Sequence, residues 1–99
     1  MQKNFFVYIL ASKKYGTLYI GVTSNLAQRI SQHKIHIFEG FTSKYNVRNL
    51  VYYEAHDNAE GAITREKQLK SWNRQWKIDL INQFNAEWKD LYEQVASFC

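Results

Sequence analysis

Residues 18–33 read LYIGVTSNLAQRISQH, a strand, a stop and the start of a helix in one short stretch. Leu18 to Val22 is apolar, aromatic and β-branched, which suits a pleated, half-buried surface. Ser24 or Asn25 can cap the helix that LAQRISQHK then predicts. Leu26 and Ile30 form a buried i, i+4 pair on it, and Arg29 and His33 form a second pair on a neighbouring face. The bland reading is core packing beneath a solvated helix face. The sharper one is a site that handles phosphate.

Working toward the N-terminus, Phe5 to Ala11 (FFVYILA) is a second strand-like run, joined to Thr17–Val22 by SKKYG, a connection of hairpin length. If Ser12 faces Thr17, then Leu10 faces Tyr19 and Tyr8 faces Gly21. Both tyrosines then project from one sheet face, and glycine leaves space beside Tyr8. A slip of one residue would put the rings on opposite faces.

Toward the C-terminus, residues 35–49 are polar and glycine-interrupted and read mainly as loop. Leu50 to Glu54 (LVYYE) is a third strand. Asp57 or Asn58 caps a helix through AEGAITREKQLKSW, with Ala62, Leu69, Trp72 and Trp76 near helical spacing and facing the core. Lys67, Lys70, Arg74 and Lys77 fall on another stripe, and a break near Ser71 to Arg74 is left open. A last helix takes Leu80, Ile81 and Phe84, with Trp88 and Leu91 as candidates to extend it. The order β-β-α-β-α-α is an α+β architecture, a three-stranded antiparallel sheet covered by helices.

The 99 residues are expected to form one domain, residues 1–99, with one core. A net charge of +4 favours an anionic partner, nucleic acid first. Seven Tyr, six Phe and three Trp exclude a disordered basic tail. The apolar run near the N-terminus is short for a signal peptide and far short of the ~20 residues of a membrane span, so no membrane association is expected. Cys99 alone offers no disulfide within the chain, which suits a reducing, cytoplasmic setting.

Taken in order, Tyr8 in VYIL, Tyr19-Ile20-Gly21, Arg29, His33 and Glu66 in REKQLK resemble the motif series of the GIY-YIG nucleases. The likeness covers about Phe5 to Leu91. It is nearest to small bacterial single-domain members related to the nuclease module of the excision-repair excinuclease. The first motif reads Val7-Tyr8-Ile9, without the namesake glycine. The resemblance implies hydrolysis of DNA phosphodiesters with a single divalent ion, Mg²⁺ or Mn²⁺, anchored by Glu66. It implies Tyr8 as general base with His33 orienting it or sharing its proton, and Tyr19 bonding the phosphate or the water. Arg29 would bind the phosphate, since its planar, permanently charged fork matches anionic oxygens. Family members also carry a supporting asparagine, for which Asn73, Asn82 and Asn85 compete, Asn85 foremost.

Around that centre, Gly21, Lys44, Tyr45, Lys67, Lys70 and Arg74 are candidate substrate contacts, with Arg48 beside them. A chain this short has no spare module to read sequence, so specificity is expected from DNA shape or from a protein partner. The bland readings are strand aromatics for Tyr8 and Tyr19, a Glu66–Lys70 helix pair worth ~0.3–0.5 kcal/mol, and a solvated lysine face. His33 and His36 lack the further ligands of a structural zinc site. Trp72, Trp76 and Trp88 are read as core, not as base-stacking platforms. A non-catalytic nucleic-acid-binding module and a protein-interaction module are the alternatives from other classes.

Overall fold

The computed structural model describes residues 4–35 and 44–97. His36 and Cys99 lie outside the described residues, as does most of the expected loop. Strands β1 (Phe5–Ala11) and β2 (Leu18–Thr23) lead into helix α1 (Leu26–Lys34). Strand β3 (Asn49–His56) is followed by α2 (Ala59–Ser71), α3 (Arg74–Phe84) and a short α4 (Tyr92–Ala96). The sheet is antiparallel throughout in the order β2-β1-β3.

That order explains FFVYILA. A central strand covered on both faces reads as an unbroken apolar run instead of an alternating one. Val7, Ile9 and Ala11 join Ala62, Leu69, Ile81 and Trp88 in a core under α2 and α3. Tyr8 and Leu10 face the other way and pack with Leu26, Ile30, Val47 and Val95, beneath α1 and α4.

The hairpin register is the expected one, with Tyr8 opposite Gly21 and Leu10 opposite Tyr19. Its turn is held by Ser12, whose N–H donates to the Thr17 carbonyl at 3.0 Å and whose Oγ accepts from the Thr17 N–H at 3.0 Å. On the other side β3 slips: Ile9 pairs with Tyr52 and Leu10 with Leu50, leaving Val51 as a bulge. The bulge puts Val51 and Tyr52 into the same core and resets the alternation beyond it. Pairing with Phe5 and Phe6 carries β3 past Glu54 to His56, two residues beyond the expected strand.

The open alternatives close on asparagine. Asn25 caps α1 by accepting from the Gln28 N–H at 3.1 Å, and Asn58 caps α2 by accepting from Gly61 at 2.7 Å. The break after Ser71 is real. Trp72 is extended (ψ 150°) and Asn73 caps α3 by accepting from the Trp76 N–H at 2.9 Å. One expectation fails here. Trp76 is not core but 55% exposed, because the break turns α3 away from the α2 stripe, and its ring meets that of Trp72 edge-on at a 5.9 Å separation. Trp88 is buried as expected, though in a turn after α3 where its φ is 57°, with Nε1 donating to Asn82 at 2.7 Å. Phe84, on the last helix turn of α3, is 48% exposed and packs edge-on against Tyr52 and Tyr53.

Candidate active site

Tyr8 leaves the middle of β1 on the α1 side, and its ring lies across the edge strand at Gly21. A Cβ there would sit 2.5 Å from Cζ and closer still to the phenol oxygen, so the close approach needs glycine. Two residues earlier on β2, Tyr19 points to the same face, with its ring 6.3 Å from that of Tyr8.

Helix α1 closes over both. Leu26 and Ile30 bury its inner face and His33 continues that face one turn on, which brings the imidazole inside. Its Nε2 lies 3.2 Å from the Tyr8 hydroxyl, and its ring is 6.0 Å from Tyr8 and 5.5 Å from Tyr19. Burial, reinforced by the nearby Arg29 charge, pulls the His33 pKa down to about 4. The imidazole is therefore neutral at pH 7, and an unprotonated Nε2 can accept the phenol proton.

The phenol is perturbed the other way. Burial pushes its pKa up, with the neighbouring Tyr19 and the Glu66 charge acting in the same sense. Arg29 opposes them, through its charge and through a hydrogen bond to the phenol. Tyr8, Tyr19 and His33 thus gather beside Gly21, and Arg29 and Glu66 are near enough to act on the Tyr8 phenol.

Glu66 comes from α2, which packs along β2 on the far side of the sheet from α1. Ala59 and Ile63 border a groove with Val22, and Lys70 borders another with Leu18, Tyr19 and Ile20. The helix therefore runs antiparallel to β2, with Glu66 between the two grooves, at the level of Gly21. Its carboxylate pairs with Lys70 at 3.4 Å, one turn on. Among the described residues no three His, Cys, Asp or Glu side chains cluster as a protein-only cage would. One carboxylate fits Mg²⁺, which keeps most of its waters and takes phosphate oxygens as ligands.

The surrounding candidates divide. Lys70 and Lys77 share a groove with Tyr19. Lys77 belongs to the sequence stripe but is not among the substrate contacts expected from it. Arg74 is engaged elsewhere: Nη2 donates to the carbonyls of Tyr15 at 2.5 Å and Gly16 at 2.7 Å, clamping α3 to the hairpin turn. Lys67 is exposed on α2, and Lys44 lies over the Tyr45 ring at 5.4 Å on the segment entering β3. Asn85 latches the end of α3, donating to Val51 at 3.2 Å and Lys89 at 2.8 Å and accepting from the Lys89 N–H. With Asn73 on a cap and Asn82 on Trp88, each candidate asparagine has a structural partner.

Comparison with known proteins points the same way. The family model described as the GIY-YIG catalytic domain matches residues 4–79. A UPF0213 protein of Syntrophus aciditrophicus is 36% identical over 84% of this chain and 94% of its own length. One from Clostridium perfringens is 36% identical over 78% of this chain and 82% of its own. The solution NMR structure of a UPF0213 protein from Bacillus halodurans superposes with a TM-score of 0.55 at 28% identity, covering 88% of this chain and 92% of that one. Among the described residues no helix is long and apolar enough to cross a membrane.

Proposed function

The chain belongs to the GIY-YIG catalytic-domain family and to its UPF0213 relatives, and from that premise we propose that it is a divalent-metal-dependent endonuclease hydrolysing DNA phosphodiester bonds. The likeness to the excision-repair nuclease module makes structured or damaged DNA the substrate class, with a protein partner as a second source of specificity. The observation that carries the reading is the packing of Tyr8, Tyr19 and His33 beside Gly21, with Arg29 and Glu66 near enough to act on the phenol.

In this reading Arg29 holds a non-bridging oxygen of the scissile phosphate and offsets the charge that develops there as water attacks. Tyr8 is fully buried, with the Arg29 charge near its phenol. In this reading the phenol must become accessible to the attacking water when Arg29 engages the phosphate. Tyr8 then takes a proton from the attacking water while passing its own to Nε2 of His33, so no free phenolate has to form. That relay answers the raised phenol pKa, which would make an isolated tyrosine a weak base. Tyr19 orients the phosphate or the water from the β2 side. Glu66 would hold the Mg²⁺ or Mn²⁺ ion, and the ion when bound supplies charge stabilisation to the leaving oxygen.

Branched, flapped, single-stranded and duplex DNA, incubated with and without Mg²⁺ or Mn²⁺, test the reading. Metal-dependent products are expected from the parent chain, with cleavage lowered by at least ~10²-fold in Arg29→Ala and in Glu66→Ala. Normal cleavage by both variants sinks it. The buried, raised phenol also favours a second reading, nucleic-acid binding without catalysis. That reading expects salt-sensitive binding and no products under any metal condition.

A further inference from the structure

Two grooves flank Gly21 along β2, and their chemistry differs. The first, of about 280 Å³, is lined by Phe5, Val22, Ala59 and Ile63 together with Thr23, Ser24 and Arg29. The second, of about 230 Å³, is lined by Leu18, Tyr19, Ile20, Lys70 and Lys77. We infer that the first groove receives an unstacked nucleobase adjoining the scissile phosphate, while the second follows the backbone phosphates on the other side. The substrate would then be DNA that is unpaired at the cut: a single strand, a flap or a bubble. This rests on the nuclease reading and names its substrate class.

Arg29 ties the occupant to the chemistry. The same side chain proposed for the phosphate forms part of the first groove's wall, so what fills that groove is covalently next to the phosphate. Beyond Arg29, four of the six lining residues are apolar, with Thr23 and Ser24 the polar ones, and Ile63 is 43% exposed at the surface. The phosphate finds its partner in Arg29, and the apolar side chains beyond it match the face that an adjoining base would bury. Phe5 offers that face a ring.

Size decides between paired and unpaired DNA. Pockets for drug-sized ligands run ~300–1,000 Å³, so this groove suits one base and not a stacked base pair. A base within a duplex has both faces covered by its neighbours. Extruding it costs a few kcal/mol, and much less where the base is already single-stranded. The second groove carries two lysines, as a backbone-tracking surface requires. The contrast therefore gives the bound strand a direction, base-holding at the Val22 end of β2 and phosphate-holding at the Leu18 end.

The test compares cleavage of one sequence presented as single strand, flap and full duplex, with Mg²⁺, by the parent chain and by Ala59→Phe and Ile63→Ser. The parent is expected to cut unpaired DNA faster than duplex by on the order of tenfold, the size of one base-stacking contact. Ala59→Phe, which fills the groove, and Ile63→Ser, which strips its wall, should each bring that ratio toward one. Equal rates on duplex and single strand, or an unchanged preference in both folded variants, overturn the inference and leave the nuclease reading standing. Absence of cleavage on every substrate fails the nuclease reading instead. A metal-free titration with a 2-aminopurine-labelled single strand then decides the groove. A fluorescence change lost in both variants supports it, and one that survives in both overturns it.

Discussion

Two quartets of the same residue types lie on opposite sides of β1. Tyr8, Arg29, His33 and Glu66 gather at β2, and Tyr52, Glu54, His56 and Arg65 gather at β3. The β3 quartet is closed on itself. Its carboxylate accepts from the Tyr52 hydroxyl at 2.5 Å, from His56 Nε2 at 2.6 Å and from Arg65 Nε at 3.2 Å to each oxygen. Arg65 also donates to Gln68 at 2.7 Å and lies over the Trp72 ring at 5.2 Å. At β2 the tyrosine and histidine bond each other, the arginine borders a groove, and the carboxylate pairs with a lysine that is half exposed. Identical side chains thus make a brace in one place and a candidate site in the other. The difference lies in where the carboxylate sits. Glu54 shares one β3 face with Tyr52 and His56 by the two-residue alternation, whereas Glu66 comes from a different element than its quartet partners.

The sharpest way to break the contrast is to delete each arginine. Arg29→Ala should lower cleavage by ~10²–10³, the usual effect of removing one transition-state donor, with little change in melting temperature. Arg65→Ala should do the reverse. The cleavage rate stays at the parent level while stability falls by about 1–3 kcal/mol, because Glu54 loses two hydrogen bonds and its compensating charge. Parallel cleavage assays and urea unfolding separate the outcomes. Equal loss of activity in both variants would erase the distinction.

Acid should take the two quartets apart in sequence. The His33 pKa is lowered to about 4, so between its ordinary value of 6.5 and about 4 the unfolded chain binds the proton and the folded chain does not. Stability therefore falls as pH drops through that window, by roughly 3 kcal/mol at most, and is fully present above it. Glu54 acts lower down. Burial alone would raise its pKa, but hydrogen bonds from Tyr52 and His56 and the Arg65 charge outweigh burial and hold it below the ordinary 4.5. Its contribution is present above that value and is lost as pH falls through the depressed one. Unfolding free energies measured from pH 7 to 3 should show the upper decline vanish in His33→Gln and the lower one shrink in Glu54→Gln.

Gly21→Ala sharpens the comparison from the packing side. A methyl set against the phenol oxygen must displace Tyr8 and break its bond to His33. Overpacking of this kind costs about 1–3 kcal/mol, and cleavage should fall as well, although no ionisable group has been removed. A variant with parental activity would mean that the Tyr8–His33 geometry is not needed.

These contrasts are partly legible in the sequence. The hairpin register follows from apolar runs of matching length around a short turn, and that alone sets Tyr8 beside Gly21. FFVYILA carries the signal of a central strand, since it has no polar alternation. The bulge at Val51 leaves no such mark, because LVYY is apolar on either register. The α2–α3 break is visible only as a possibility, and it decides three assignments together. It exposes Trp76, it turns Arg74 toward the hairpin turn, and it leaves Lys70 and Lys77 to share the groove beside Tyr19. The groove at the Val22 end of β2 is beyond reach because Phe5, Val22, Ala59 and Ile63 come from three elements and have no chemistry in common until the fold joins them. Asn85 misleads for a different reason. An asparagine ending a helix serves a latch as readily as a site, and only its bonds to Val51 and Lys89 tell which.

The smallest expected effect tests the carboxylates directly. Lys70 is 53% exposed and its 3.4 Å pairing with Glu66 spans one helical turn, an arrangement worth ~0.3–0.5 kcal/mol. Lys70→Ala should therefore leave stability within about 0.5 kcal/mol of the parent. Yet the lysine and the proposed metal compete for one carboxylate, so its removal should lower the Mg²⁺ concentration giving half-maximal cleavage by about twofold, the same energy expressed as a ratio. Loss of a phosphate contact should separately reduce the salt dependence of DNA binding by about one unit of slope. A metal titration at saturating DNA isolates the first effect, and a salt titration without metal isolates the second. Glu54 has no counterpart to this experiment, because all three of its partners are fixed by the strand or by the Trp72 ring. A stability loss well above 1 kcal/mol in Lys70→Ala would make Glu66 a brace of the same kind as Glu54, and the case for a metal at β2 would lose its carboxylate.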